Sequence, residues 1–158
     1  MARDFFIIDR DVFLQACDRG MNAAVSYLVM ACGSQRNNRT TCWSASSIAE
    51  RVGITRPRAK AAIDALIDAS VVVLVSGGSR PRYHLTFPDC DNGYLYLPKS
   101  IIEGAADETP PIERLRQTRN ITNLIVFVLL YGIQDLDNAG GLPADMFDDT
   151  PSEAVVLY

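Results

Sequence analysis

The sequence predicts an α+β fold that is mainly helical with a small β component, and three observations support this prediction. Apolar residues recur at helical spacing along several segments, most regularly between residues 56 and 68. That segment is joined to a preceding helical segment by a short turn around Gly53. Two runs of strand-forming residues then flank the pair Gly77 and Gly78, which is typical of a β-hairpin. With 48% apolar and 22% charged residues, the composition is that of an ordinary soluble globular chain.

The N-terminal residues are predicted to form a strand and two helices. Phe5–Ile8 is a short apolar run flanked by charges, which favours a strand before a helix that opens at Asp9 or Asp11. A second helix is expected over Asn22–Cys32, with its first residue as the N-cap, because apolar residues recur there at helical spacing. Gly33 is expected to stop this second helix.

The central residues are predicted to form a short strand, two helices and a hairpin. Gly53 ends the first of these helices and Thr55 caps the second, in which Pro57 is tolerated because it lies in the first turn. In the last strand, apolar and polar residues alternate with the period of a half-buried strand. The expected strands are Thr40–Trp43, Val71–Val75 and Arg82–Phe87, and the expected helices are Ser44–Arg51 and Arg56–Asp68.

The turn between the two central helices is the most specific part of the pattern. Ala49 supplies a small side chain where two helices approach closely, Gly53 permits a left-handed turn, and Ile54 provides an apolar plug. Helix, strand, helix, turn, helix and hairpin follow one another in the order of a winged helix-turn-helix. We therefore expect a winged-helix domain over residues 1–88, with the helix-turn-helix at 44–68 and the wing at 71–87, and a linker with a C-terminal helical extension over residues 89–158.

Residues 33–87 resemble the winged-helix DNA-binding superfamily of bacterial regulators and replication proteins, and Ser44–Leu66 carries the resemblance. More narrowly, Asn38–Trp43 together with Pro110–Thr118 is similar to uncharacterised bacterial proteins of phages and mobile elements that carry tandem winged helices. The superfamily resemblance implies DNA binding, whereas the narrower one implies no known activity. The narrower resemblance also implies that Thr122–Ile133 is the first helix of a second winged-helix unit.

Charge is distributed unevenly along the chain, although the net charge is only −4. Between Gly33 and Phe87, eight cations stand against three carboxylates, a local charge of +5 that leaves −9 for the other residues. Seven of the eight cations are arginines, whose guanidinium group suits bidentate contacts with phosphate and guanine. A basic segment inside an acidic chain favours a nucleic-acid partner for that segment.

The apolar stripe of the second central helix decides which of its residues are able to face DNA. At about 100° per residue, Pro57 and Ala61 lie opposite that stripe. Arg58 flanks them on one side, and Lys60 and Asp64 flank them on the other. A surface that is small at its centre and cationic at its edges fits a major groove about 12 Å wide, where Arg58 and Lys60 would contact guanine or phosphate and Ala61 a thymine methyl group. The stripe itself comprises Ala59, Ala62, Ile63 and Leu66.

Residues outside this helix face complete the predicted DNA-binding surface. The first-turn amides near Arg56 are expected to hold a phosphate. Arg80 and Arg82 in the wing are expected to reach the flanking backbone or the minor groove, and Ser44 and Ser46 serve either as helix caps or as phosphate ligands. The full candidate set is Ser44, Ser46, Thr55, Arg56, Pro57, Arg58, Lys60, Ala61, Asp64, Arg80 and Arg82.

The sequence offers no catalytic constellation, so we expect no enzyme activity, no cofactor and no metal site. His84 is the only histidine, and its place among the outward residues of a strand favours a surface side chain over a catalytic base. Asp135–Gly140 begins like a calcium loop, but Ala139 and Met146 occupy positions that require oxygen ligands. The cysteines lack C-x-x-C spacing and are expected to be four buried, reduced thiols. They are Cys17, Cys32, Cys42 and Cys90.

The residues after the wing are predicted to form a short strand at Tyr94–Leu97, a helical turn within Lys99–Gly104 and a short helix after Pro110. Thr122–Ile133 is apolar on nearly every face, is too short to span a bilayer, and is therefore expected to be buried. Two interpretations of this helix stay open: it forms a homodimer interface, or it completes a core within one chain.

These observations lead to the hypothesis of a transcriptional regulator that binds double-stranded DNA sequence-specifically. A cytoplasmic location is expected because no secretory signal or membrane span is visible. Two alternatives stay open: a winged helix used as a protein-protein assembly module, and a replication-initiation protein of a mobile element. The salt dependence of binding separates a DNA partner from a protein partner, because phosphate binding releases counterions.

Overall fold

A computed structural model describes residues 4–89 and 93–134 of the chain. Within these residues the protein forms seven helices and five strands, which confirms the predicted α+β class. The helices are α1 (Arg10–Cys17), α2 (Met21–Cys32), α3 (Ala45–Val52), α4 (Arg56–Asp68), α5 (Ser100–Glu103), α6 (Pro111–Gln117) and α7 (Ile121–Leu130). The strands are β1 (Phe5–Asp9), β2 (Thr40–Thr41), β3 (Val72–Ser76), β4 (Arg82–Leu85) and β5 (Tyr94–Pro98).

Helix α2 lies at the centre of the molecule. Ten consecutive residues, Ala23 to Cys32, are buried, and α1, α3, α4, α5, α6 and β1 all pack against this helix. The predicted N-cap Asn22 is wrong: the helix begins one residue earlier, after Gly20, whose φ of 99° lets the chain enter from a direction that other residues rarely adopt. Gly33 ends the helix as predicted.

Two small antiparallel sheets complete the fold. One pairs β1 with β5, so that Phe6 lies opposite Leu97 and Ile8 opposite Leu95, and all four side chains are buried. The other has the strand order β2–β4–β3. In the sequence, β1 comes before residue 88 and β5 comes after it. The segment that follows the hairpin therefore packs against the N-terminal strand.

Helix α7 is less buried than its apolar composition predicted. Only Leu124 and Val128 are buried, whereas Val126 and Leu130 are 47% and 37% exposed. Among the described residues, α7 packs against α1, α6 and β5 on one side, and the other side remains uncovered. None of the described helices combines the length and the apolar character that a bilayer crossing requires.

The cysteines also differ from expectation. Cys17 and Cys32 are buried, but Cys42 is exposed. Cys42 directly follows β2, whose two residues Thr40 and Thr41 are both buried, so the chain reaches the surface as soon as the strand ends. Cys90 and the calcium-like segment Asp135–Gly140 lie outside the described residues.

Trp43 packs directly against the end of α2. A Cβ atom placed on Gly33 would lie 2.0 Å from Trp43 Cδ2, far inside van der Waals contact. The guanidinium carbon of Arg51 lies 3.7 Å from the centroid of the same indole ring, a cation–π contact. Gly33 therefore lacks a side chain because the indole occupies that space.

Replacing Gly33 with alanine is expected to lower the free energy of unfolding by about 1–3 kcal/mol, the usual cost of overpacking a filled site. Gly77→Ala is the matched control because nothing lies within 4 Å of its added Cβ atom. Urea denaturation followed by the fluorescence of the single tryptophan measures both variants. Equal stability of the two variants would contradict the packing argument.

Thiol reactivity should separate the described cysteines. Burial, reinforced by Asp18, raises the pKa of the Cys17 thiol to about 12, and burial, reinforced by Glu103, raises the pKa of the Cys32 thiol to about 12. Since the thiolate is the reacting species, both should react with iodoacetamide at mildly alkaline pH at least about a hundredfold more slowly than exposed Cys42. Peptide mass spectrometry of the folded protein checks this, and equal labelling of Cys17 and Cys42 would contradict it.

Candidate nucleic-acid interface

Local features of the sequence determine where helices α3 and α4 begin and end. Ser44 and Ser47 form a capping box at the start of α3, with the Ser44 backbone N–H donating to Ser47 Oγ at 3.3 Å. Gly53 ends α3 in the left-handed conformation, with φ of 63°. Ser44 therefore acts as a helix cap, and Ser46 lies half-buried in the first turn.

Helix α4 buries the stripe that its sequence predicts, and this prediction is confirmed. The buried side chains are confined to one face, and two of them are alanines, which allow α4 to lie close to its neighbours α2 and α3. Ile54 in the preceding turn is only 5% exposed and plugs the gap between the two helices. The buried residues of α4 are Ala59, Ala62, Ile63 and Leu66.

The opposite face of α4 is open to solvent. Thr55 occupies the N-cap position as predicted, but its side chain makes no cap hydrogen bond. Pro57 lies in the first turn, where its missing N–H costs nothing. The exposed residues of this face are Thr55, Arg56, Pro57, Arg58, Lys60, Ala61 and Asp64.

The cations of this face differ in their partners. Lys60 Nζ lies 3.2 Å from Asp64 Oδ2, and both side chains are more than half exposed, so the pair is screened and weak. Arg56 and Arg58 form no ion pair with any of the described residues. The face therefore presents two unpaired guanidinium groups and one ammonium group in a surface ion pair.

The hairpin of β3 and β4 lies beside this face. Burial raises the pKa of the Tyr83 hydroxyl on β4, while the nearby charge of Lys60 lowers it and that of Asp64 raises it. The hairpin packs against α4 through β3. Arg80 and Arg82 are exposed at the tip and on β4, and within residues 4–89 and 93–134 neither has an acidic partner.

Two arginines counted in the basic segment lie outside α4 and the hairpin and have partners of their own. Arg39 pairs with Asp89. Arg51 contacts the Trp43 ring and donates from Nη1 to the Ser47 carbonyl oxygen at 3.1 Å. Arg51 is therefore engaged within the fold, and most of the remaining cations of the segment lie on α4 and the hairpin.

Arg116 on α6 is a contact that sequence reasoning missed. Its Nε donates to the Val52 carbonyl oxygen at 2.9 Å, across 64 residues of sequence. The sequence places Arg116 in a short helix, but nothing local indicates that this helix packs against the turn after α3. The one local sequence signal is Gly53, which ends α3 and so leaves the last carbonyl groups of that helix in need of a donor from another element.

His84 is exposed on β4, opposite Val73 and Thr40 in neighbouring strands. The described ranges contain no group of three or more His, Cys, Asp or Glu residues placed to hold a metal ion. Comparisons with known proteins give no match: no protein-family model, no curated protein sequence and no solved structure matches this chain. The candidate interface is therefore defined by its geometry and charge alone.

Proposed function

We propose that this protein is a winged helix-turn-helix that binds double-stranded DNA and acts as a transcriptional regulator. In this proposal α4 is the recognition helix and the β3–β4 hairpin is the wing. The observation that carries the proposal is the solvent-exposed face of α4, where Arg56 and Arg58 lack acidic partners among the described residues and Lys60 flanks the small side chain of Ala61.

The order of the elements supports the winged-helix assignment. Helix α2, strand β2, the pair α3 and α4, and the hairpin follow one another as the fold requires. Strand β4 pairs with both β2 and β3, so the sheet fixes the hairpin beside the helix pair. A rigid sheet of this kind would hold the wing arginines at a constant distance from α4.

The exposed face of α4 suits entry into a major groove. Ala61 and Pro57 keep its centre small, so the helix axis is able to approach the base edges closely. Arg58 is free to form a bidentate contact with guanine or phosphate. Lys60 exchanges its exposed Asp64 partner for phosphate at low cost, because such pairs are worth less than about 1 kcal/mol.

The arginines of the wing would extend this contact along the duplex. Arg80 and Arg82 are exposed on the hairpin that lies next to α4. The first-turn backbone of α4 offers N–H groups to a phosphate between these two contact regions. Ser44 is engaged in its capping box, so its role in the proposal is to fix α3.

A protein-protein assembly module is the second candidate, and one observation favours it. Val73, Leu74 and Val75 on the edge strand β3 are 53%, 48% and 48% exposed, which is unusual for three consecutive apolar residues. A replication-initiation protein of a mobile element would use the same DNA surface and differs only in its target. The salt dependence of the binding affinity distinguishes DNA binding from protein-protein assembly.

The double variant Arg58→Ala, Lys60→Ala should weaken binding to a fluorescently labelled mixed-sequence duplex by at least about tenfold at low salt, because two phosphate-directed cations are lost. The slope of log affinity against log salt concentration should become shallower by about two. Fluorescence anisotropy at several salt concentrations measures both quantities.

The matched control is Arg10→Ala, Arg114→Ala, which removes the same net charge from exposed positions on α1 and α6. Its salt slope should equal that of the wild type. Binding by the wild type that does not depend on salt, or equal slopes for the two double variants, would contradict DNA binding through α4.

We also propose that the regulator binds a two-fold operator as a homodimer through α7. The exposed apolar side chains of Val126, Leu130 and Ile133 support this interface. Val126→Asp should reduce the mass of the particle in solution from dimer to monomer, as measured by light scattering after size-exclusion chromatography. Val73→Asp on β3 is the control and should leave the mass unchanged; dissociation by Val73→Asp alone would place the interface at β3 instead.

A further inference from the structure

We infer that Arg116 is a positioning residue, through which helix α6 holds the turn that orients α4. The inference rests on the proposed function only in taking α4 as the helix that contacts DNA. Its structural part concerns three described elements, α3, α4 and α6, and does not depend on any ligand.

The first step is the bond between Arg116 and the end of α3. The last carbonyl groups of a helix have no donor within the helix. Arg116 Nε donates to one of them, the Val52 oxygen, at 2.9 Å. This hydrogen bond is charge-assisted, and the cation lies at the helix end where the macrodipole is negative, so both effects stabilise the contact.

The second step is the close fit of α6 around the glycine that follows. A Cβ atom on Gly53 would lie 2.6 Å from Glu113 Oε1 and 3.7 Å from Arg116 Nη2. Glu113 and Arg116 are three residues apart and share one side of α6. The turn thus lies against two side chains of α6, and its left-handed φ of 63° at Gly53 favours glycine there.

The third step is the short path from this contact to α4. Only Gly53, Ile54 and Thr55 separate α3 from α4. A change in the backbone at Gly53 therefore redirects the first turn of α4, which carries Arg56 and Arg58. Helix α6 is itself fixed, because Ile112 is fully buried and the helix packs on α2.

A competing interpretation makes Arg116 a direct phosphate ligand, and the two interpretations predict different salt behaviour. A phosphate contact contributes about one to the slope of log affinity against log salt concentration. A positioning residue changes the affinity at every salt concentration and leaves the slope as it was. Removal of Arg116 therefore reports which of the two roles it has.

The experiment compares Arg116→Ala with Arg116→Lys, which keeps a charged donor, and with Arg114→Ala, which removes an exposed cation from the same helix. Hydrogen exchange of the full-length protein is measured first, without DNA. Arg116→Ala should accelerate exchange of the hydrogen-bonded backbone amides at the start of α4, residues 59–61, by about tenfold, while amides of the β1–β5 sheet change little. Arg116→Lys should lie between wild type and alanine, and Arg114→Ala should match the wild type.

Binding of the same mixed-sequence duplex is then measured by anisotropy. Arg116→Ala should weaken affinity by about fivefold to tenfold with an unchanged salt slope. Unchanged exchange at residues 59–61 would overturn the inference, as would a slope that becomes shallower by about one. If the wild type binds no duplex, the proposed function fails. Faster local exchange in Arg116→Ala would then still support the conclusion that α6 stabilises the turn between α3 and α4.

Discussion

The structure depends on the burial of α2 from Ala23 to Cys32. Ten consecutive residues of this helix are inaccessible to solvent, so every side of it must be covered by another element. Six elements supply that cover, including α4 and α6. Since each of them turns its apolar face toward α2, the polar and charged residues of those elements are left on the outside.

The cationic face of α4 follows from this arrangement. Burial of Ala59 and Ile63 against the core leaves Ala61 on the opposite side of the helix and Arg58 beside it on the flank. The same demand brings α6 against the far end of α3, where Arg116 meets the Val52 carbonyl oxygen. One central helix thereby fixes the direction of the proposed recognition helix and of the helix that holds its turn. The apolar side chains left exposed on α7 and β3 are not required by this core, and so are free to serve contacts with other chains.

The sequence was most informative where a single residue decides the local conformation. A glycine with a left-handed φ at position 53, a serine at the start of α3 and a proline in the first turn of α4 each act on the backbone within a few residues of themselves. The buried stripe of α4 was equally predictable from the sequence, because its apolar residues are few and regularly spaced. The two most apolar helices were less readable. The pattern predicted α2 from apolar residues at helical spacing and predicted burial for α7, whereas α2 is covered on all sides and α7 on one.

The sequence by itself determined the α+β class, nearly all of the helices and strands, and the outward face of α4, because these depend on neighbours within a few residues. Only the tertiary structure decided which apolar helix lies at the centre, that Arg39 and Arg51 are held by Asp89 and Trp43, and that Arg116 reaches the turn after α3. A helix that is apolar all round carries no periodic signal that names its neighbours. A hydrogen bond across 64 residues likewise leaves no trace in the local pattern, because it exists only once the core has brought its two ends together.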